Sequence, residues 1–530
     1  VKSIKKDRGF DYFYKRIVKA AKRYGGIEVG NRQLNREASR LVRKIRESKT
    51  VNEAEKAKGQ LKKHVIKSNR KREQKRMAEF KRIGAYKYYS KRVTKNNTGL
   101  DLKYYEVRAK NGGYKVTFNE DEIKKDTEKY FQQWIGWNFK DEWIPDGVRT
   151  FEINGRKHYE VIPVGEDGYN KKIAETFSKI LPTLDFTSLH KPVSVENFEK
   201  YLRCIHTASA TGCSGLPLFA IDFIEQDEKE VIRQYINKII KERKVPEFMQ
   251  KLQIWCLSKK ANKPCSRGNA RPIGLLEHIT KVLEMIIKDR MDKILEHVDV
   301  EAFPNQFGFT KQVSTSNPVH MVDSAMGEAF DELKKLCVCL ADVKKAYDSI
   351  LPFVIELGCR RLGMKNKDIE LIMSLYENRR ATVLSHLGFK TDYFDVTVGL
   401  IQGSLLSPLL YKIVIGALGT VLKQLKKSGG YEFNKYDREQ NGILSTIPYK
   451  GSEIIPAELS ILSEFFADDK QSISKDLAIL DNIMKEIAWF YRLLFKSLHP
   501  LKFELYRNHI EGKIRTGPRK GEKITIFKYK

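Results

Sequence analysis

The chain has no Cys-x-x-Cys pair. Its seven cysteines (Cys204, Cys213, Cys256, Cys265, Cys337, Cys339 and Cys359) are odd in number, which argues against a thiolate zinc site and a disulfide framework and fits a reducing compartment. A long hydrophobic run is also missing. Leu405 to Leu422 comes nearest, but Pro408, Lys412, Gly416 and Gly419 interrupt it, so it reads as a buried helix rather than a membrane span. No signal peptide is visible, and the chain opens at Val1 without a Met, which reads as a processed product or an excised piece. There is no internal repeat, and no low-complexity tract beyond a basic arm. Acid is scarce at the front: residues 1–100 hold 32 Lys and Arg against 9 Asp and Glu, a balance of +23 out of a net +31. Counterion release makes such a surface bind a polyanion strongly and with little sequence preference. No broad apolar face with Trp and Leu accompanies the charge, so an acidic membrane is the poorer partner.

With 530 residues, 41% of them hydrophobic, the chain is long enough for a sizeable core and more than one domain. From about residue 31 to 92 it is rich in Lys, Arg, Glu, Ala, Leu and Gln, with Leu34, Ala38, Leu41, Val42 and Ile45 at helical spacing. This predicts a cationic helical arm over residues 1–95, with Arg70, Lys71, Arg72, Lys75, Arg76, Lys87, Lys91 and Arg92 as nucleic-acid contacts. Tyr86, Tyr88 and Tyr89 add stacking surface. Residues 96–190 read as a small α+β extension and linker. It holds a hairpin over Tyr104 to Phe118, a helix from Asn119 to Trp137, and a hairpin over Phe151 to Val161 turned by Asn154-Gly155.

From about Val193 helix and strand units alternate. Helices are expected over 193–206 and 228–244, followed by a strand from Lys251 that ends on Lys259 and Lys260. The Gly/Asn/Pro-rich loop beyond it, with Lys263, Arg267 and Arg271, suits either a triphosphate clamp or an ordinary surface loop.

Leu336 to Val343 alternates as a buried strand ending on Asp342, an acid that is costly to bury unless a cation neutralises it. A helix is expected to start after it, through Lys344 to Ile350, with Asp348 on its first turns. Glu464 to Ile473 closes two apolar flanks on Asp468-Asp469 and predicts a β-hairpin with acids at its tip, which in isolation is merely a tight turn. Two-metal phosphoryl transfer needs carboxylates converging from separate strands onto cations roughly 4 Å apart. Asp342, Asp468 and Asp469 suit that, since Mg²⁺ takes a few carboxylates plus substrate phosphates. Between the acids lies Gly399-Leu-Ile-Gln-Gly-Ser-Leu-Leu-Ser-Pro408, after an alternating strand over Tyr393 to Val398. Here Gln402 and Gly403 suit close approach to a ligand, or a helix cap.

The order of a basic loop with Arg-Pro-Ile, then Asp-Val-Lys-Lys-Ala-Tyr-Asp, Gln-Gly-Ser-Leu-Leu-Ser-Pro and Phe-Ala-Asp-Asp resembles a reverse transcriptase. Gly212-Cys-Ser-Gly215 and Asn305-Gln-Phe-Gly-Phe-Thr-Lys-Gln-Val-Ser-Thr-Ser316 resemble stretches of its non-LTR (LINE-type) retrotransposon branch, the first as a divergent copy. The resemblance covers roughly residues 190 to 530. It implies an α+β, right-hand polymerase with an antiparallel palm sheet packed on helices, fingers over 191–335 and palm, with part of the fingers, over 336–530. It implies RNA-directed synthesis of DNA from dNTPs on an RNA template, a DNA primer or target DNA, and two Mg²⁺ ions with Mn²⁺ as a substitute. Asp342, Asp468 and Asp469 become the metal ligands, Tyr347 the gate against a ribose 2′-hydroxyl, and Lys502 a proton donor to pyrophosphate. Gln402 and Gly403 meet the incoming nucleotide, and Lys259, Lys260 and Arg271 face its phosphates. Ile524 to Lys530 resembles the start of the primer-grip strand, so the thumb is expected to be missing. Two alternatives stand beside this: a group II intron-type reverse transcriptase, and a decayed polymerase acting as a nucleic-acid-binding protein. An intracellular, nuclear location follows from the retroelement reading, while the sequence names no protein partner.

Overall fold

A computed structural model describes, with short gaps, residues 105–432 and 460–508, and Glu53 and Gln60 before them. The basic arm contacts expected at Arg70, Lys71, Arg72, Lys75, Arg76, Lys87, Lys91 and Arg92 lie outside the described residues, as does Ile524 to Lys530.

The described chain opens with the hairpin β1 (Tyr105–Arg108) and β2 (Tyr114–Thr117), then α1 (Glu120–Ile135). A second hairpin, β3 (Val148–Ile153) and β4 (Arg156–Val161), turns on Asn154 and Gly155 at φ 53° and 71°. Two successive left-handed residues match the twist of the flanking strands, and Asn-Gly is the pair that adopts them most readily. After α2 (Lys171–Thr176) come α3 (Val195–Cys204), capped by Ser194 on the Asn197 amide, and α4 (Gln226–Glu242). Helix α4 opens with a Glu225/Glu228 capping box and ends where Arg243 turns left-handed at φ 54°, three residues before Pro246. Next come α5 (Glu247–Gln250), β5 (Lys251–Ser258), β6 (Ala270–Leu275), α6 (His278–Leu295) and α7 (Ser316–Asp331). Then follow β7 (Leu336–Asp342), α8 (Pro352–Arg361), α9 (Asn366–Met373), β8 (Arg380–Leu384), β9 (Phe394–Asp395) and α10 (Ser407–Lys426). The last elements are the short pair β10 (Tyr431–Glu432) and β11 (Ser460–Ile461), the hairpin β12 (Ser463–Phe466) and β13 (Asp469–Ser474), α11 (Leu477–Leu494) and β14 (Lys502–Asn508).

Two four-stranded sheets organise this mixture of helix and strand. The central one runs β12-β13-β7-β14 and is antiparallel throughout. The other runs β6-β5-β8-β9, with β5 parallel to β8 and the remaining pairs antiparallel. Strand β7 is buried on both faces for most of its length. Cys337 and Cys339 face the main core with residues of α8, α10 and α11, while Leu336 and Val338 face a smaller cluster with Ala325 and Ala329 of α7. Double burial explains why Leu336 to Ala341 is apolar at every position. The second sheet buries Leu252, Ile254 and Cys256 of β5 against Phe131, Trp134 and Ile135 of α1.

Helix α10 covers the stretch expected as a buried helix. Leu410, Ile413, Val414, Ala417 and Leu418 are fully buried, and no helix among the described residues is long and apolar enough to cross a membrane. The β3–β4 hairpin joins the same main core through Val148 and Tyr159 and is tied to α8 by charge. Glu356 Oε1 lies 3.0 Å from His158 Nδ1 and accepts from the Tyr159 amide at 3.0 Å and from Arg360 Nη2 at 2.7 Å. Arg360 in turn donates from Nε to the Tyr159 carbonyl.

His278 opens α6 fully buried, and neither ring nitrogen has a hydrogen-bond partner among the described residues. Burial, reinforced by Lys281 one turn on, pushes its imidazole down to about 4 from 6.5. The unfolded chain therefore takes up the proton first: His278's contribution is intact above pH 6.5 and lost as pH falls towards 4. Denaturant unfolding at pH 7 and pH 5 should differ by about 2 kcal/mol on this account, and His278→Leu should shrink that difference. An unchanged difference would place the acid sensitivity elsewhere.

Candidate active site

Asp342 ends β7 because the strand's apolar run stops there. Register sets its neighbours: Asp469 of β13 is its Cα partner on one side and Lys502 of β14 on the other. Three of the four expected catalytic positions, from segments 127 and 33 residues apart, thus form one row across three strands. The fourth, Asp468, lies outside the described residues; Phe466 and Asp469, on either side of Ala467 and Asp468 in sequence, are paired. The row continues the parity of Leu336, Val338 and Leu340. Helix α7 covers the first two, whereas Leu340 is 38% exposed, so this face opens towards the acid end of the strand.

Like charges directly opposite one another in a sheet repel, and a hard cation with oxygen ligands relieves the repulsion. The donor types at these positions fit a hard divalent cation. Cys339, nearby on the opposite parity, does not compete, because burial pushes its thiol up to about 11. Among the described residues no group of three or more His, Cys, Asp or Glu converges as a metal site, Asp468 being outside them.

Past β7 the expected helix does not form. Lys345 turns left-handed at φ 59°, Ala346 is right-handed at φ −49° and ψ −49°, and only a 3-10 turn over Tyr347–Ser349 follows. Helix starts at Pro352, whose ring suits the first helical position. The Tyr347 ring stacks on Tyr411 at 4.5 Å and 8° and meets Phe309 edge-on at 6.2 Å. Asp348 is buried and accepts from Gln402 Nε2 at 3.1 and 3.3 Å, one contact to each carboxylate oxygen. Gln402 is thereby held beside the turn that carries Tyr347.

The Gly399–Gly403 loop is clipped between this turn and β6. Gly399 N donates to the Ile350 carbonyl at 2.8 Å, Leu400 N to that of Tyr347 at 2.6 Å, and Gly274 N to that of Gln402 at 2.6 Å. A Cβ at Gly399 would sit 2.6 Å from the Asp348 carbonyl oxygen, and one at Gly403 2.5 Å from that of Gly274. Both glycines have φ near +100°, so close approach and backbone conformation exclude other residues together. A small cleft results, lined among others by Ile135, Leu252, Pro272, Gly274, Asp348 and Gln402. The expected strand over Tyr393 to Val398 shrinks to β9, because the Val396 amide donates to the Arg379 carbonyl and the Thr397 and Val398 amides to that of Ile135.

At the far end of the β5–β6 hairpin, Lys259 follows β5 and Arg271 pairs with Leu257 from β6; both are exposed. Lys260 lies outside the described residues.

Residues 258–515 match the family model described as reverse transcriptase (RNA-dependent DNA polymerase). They form a reverse transcriptase domain. Its curated relatives belong to LINE-type, non-LTR elements. The chain is 25% identical over 272 residues to the RNA-directed DNA polymerase from mobile element jockey of Drosophila funebris, covering 50% of this chain. It is 26% identical over 235 residues to the Pol polyprotein from type-1 retrotransposable element R2 of Popillia japonica, covering 44% of this chain. A protein described as a probable RNA-directed DNA polymerase from transposon X-element of Drosophila melanogaster is 32% identical over 177 residues, 33% of this chain. The matched segments span 28%, 29% and 19% of those relatives' lengths. A solved apo telomerase from Candida Tropicalis, truncated from its C-terminal domain, aligns over 52% of each chain at 13% identity and a TM-score of 0.33, a likeness too slight to argue from.

Within the reverse transcriptase domain two buried glutamates of the α6 region hold the loops, and the sequence reading missed both. Glu284 accepts from Ser404 Oγ at 2.9 Å and the Leu405 amide at 2.8 Å, with Arg379 Nη2 at 3.6 Å. Burial pushes its carboxyl above the usual range while Arg379 opposes that shift. Glu277 accepts from the amide and hydroxyl of Ser214, both at 2.7 Å, and a Cβ at Gly212 would lie 2.6 Å from the Glu277 nitrogen. These contacts supply a local role for the divergent Gly212-Cys-Ser-Gly215 stretch. The available signal was an acid inside an apolar helical run, Val282-Leu-Glu-Met-Ile-Ile287.

Gly403→Ala should push β6 from the Gln402 loop, lowering stability by about 2 kcal/mol in denaturant unfolding. Wild-type stability in that variant would show that the loop is not clipped as described.

Proposed function

We propose that the protein is an RNA-directed DNA polymerase that extends a DNA 3′-hydroxyl from dNTPs on an RNA template, as part of a non-LTR retroelement. The observation that carries this reading is the row Asp469, Asp342 and Lys502 across three paired strands, inside a reverse transcriptase domain. The central sheet with its helices reads as the palm, and the β6-β5-β8-β9 sheet with α1 as fingers.

Asp342, Asp468 and Asp469 would hold two Mg²⁺ ions, for which Mn²⁺ is the natural substitute. When bound, such ions lower the pKa of the attacking hydroxyl and neutralise charge developing on pyrophosphate. Lys502, paired by register with Asp342, would give a proton to the leaving group. Lys345 and Ala346, left-handed then right-handed, turn successive amides to one side, a backbone nest suited to phosphate oxygens. Lys259, Lys260 and Arg271 add cations at the hairpin end. Tyr347, whose ring is backed by Tyr411, would act as a steric gate against a 2′-hydroxyl, and Gln402, steadied by Asp348, would orient the nucleotide. The basic arm would grip template or element RNA, and target DNA puts the work in the nucleus.

The test is Mg²⁺-dependent dTTP incorporation on poly-rA/oligo-dT. Wild type should extend the primer, and Asp468→Ala should lose at least about a hundredfold in rate with its circular dichroism unchanged. Undiminished activity in the variant would remove the metal-ligand assignment.

A further inference from the structure

We propose that Trp134, on the helix preceding the reverse transcriptase domain, is a positioning residue for nucleotide binding that acts through Lys345. This rests on the polymerase reading above and extends it to a part of the chain that the family match leaves out.

Lys345 stands three residues after Asp342 and two before Tyr347, so whatever fixes it fixes the turn between the proposed ligand and the proposed gate. Its Nζ lies 3.5 Å from the Trp134 ring centroid and 5.9 Å from that of Tyr130. An ammonium over an indole face is the strongest form of this contact, and Trp134 is itself buried. The ring cannot easily drift. It stacks on the fully buried Phe131 at 5.6 Å and 10°, with Tyr130 edge-on at 5.7 Å. A left-handed backbone is sterically disfavoured at a residue other than glycine, so surrounding structure must hold it there.

The same helix end also holds one wall of the cleft. The Ile135 carbonyl, one of the acceptors that a helix C-terminus leaves unmet, takes the Thr397 amide at 3.0 Å and the Val398 amide at 3.3 Å. A Cβ at Gly136 would stand 2.4 Å from the Asp395 carbonyl oxygen, so the backbone approach leaves no room for drift. Helix α1 thus braces the Lys345 turn by its indole and the Gly399–Gly403 approach by its last carbonyl. Without the indole, Lys345 relaxes to an ordinary right-handed or extended conformation and the amides of the nest diverge. A nest grips phosphate alike in the ground and transition states, so its loss raises KM and spares kcat.

Single-nucleotide incorporation by the full chain tests this. Trp134→Leu should raise KM for dTTP about five- to tenfold and leave kcat within about twofold, the range expected for losing a partly buried cation–π contact. Trp134→Phe, which keeps an aromatic face, should restore most of the affinity. Lys345→Met should raise KM to a similar degree, and the double variant should be no worse than either single one. Lys345→Met leaves α1 intact, so it tests the coupling even if Trp134→Leu fails to fold. Additive effects, or a fall in kcat at unchanged KM, would overturn the proposal. Should wild type fail to incorporate, or Asp468→Ala match it, the polymerase reading itself fails. An inert Asp468→Ala beside an unaltered KM in Trp134→Leu defeats this inference alone.

Discussion

Strand β7 is paired on both edges and buried on most of both faces, and its last residue is an acid. Everything proposed for the site depends on that pairing. Antiparallel register is discrete, and a slip of one residue would exchange the Leu336–Val338 face for the Cys337–Cys339 face. Two different cores reject such a slip, because α7 covers one face and α10 with α11 the other. Hydrophobic packing therefore specifies, at a distance, that Asp342 meets Asp469 on one side and Lys502 on the other. The electrostatic cost of opposed acids falls at the open end of the strand, where Leu340 is already exposed and a cation can approach.

The cleft at the Asp348 turn is built mainly from backbone. Gly399 and Gly403 bring carbonyl oxygens of the Asp348 turn and of Gly274 within distances no side chain tolerates, and short amide bonds at Leu400 and Gly274 lock them. Side chains then hold the loops from behind: Asp348 for Gln402, Glu284 for Ser404 and Leu405, and Glu277 for Ser214. Each is a carboxylate accepting from at least one donor on another segment, which is how buried acid becomes tolerable.

Much of this was legible locally. The unbroken apolar run and sudden end of Leu336 to Asp342, the apolar flanks closing on Asp468-Asp469, and the Asn154-Gly155 turn each carry their conformation within a few residues. What failed to show depended on distant partners. Helical propensity after Lys344 loses to a left-handed Lys345 lying against Trp134, more than 200 residues earlier. The alternation of Tyr393 to Val398 promised a longer strand, but its amides are claimed by the carbonyls of Arg379 and Ile135. Glu284 looked like one charge on a helix until Ser404, Leu405 and Arg379 closed around it.

In the proposed function the end of β7 and the β12–β13 hairpin together hold divalent metal. Replacing Mg²⁺ with Fe²⁺ and adding ascorbate and peroxide cuts the backbone beside a bound ion, so mapping the cuts reads the site directly. Cleavage next to Asp342 and within Ala467 to Asp469, suppressed by excess Mg²⁺, is the expected result. Cleavage absent from both segments, or insensitive to Mg²⁺, would contradict it.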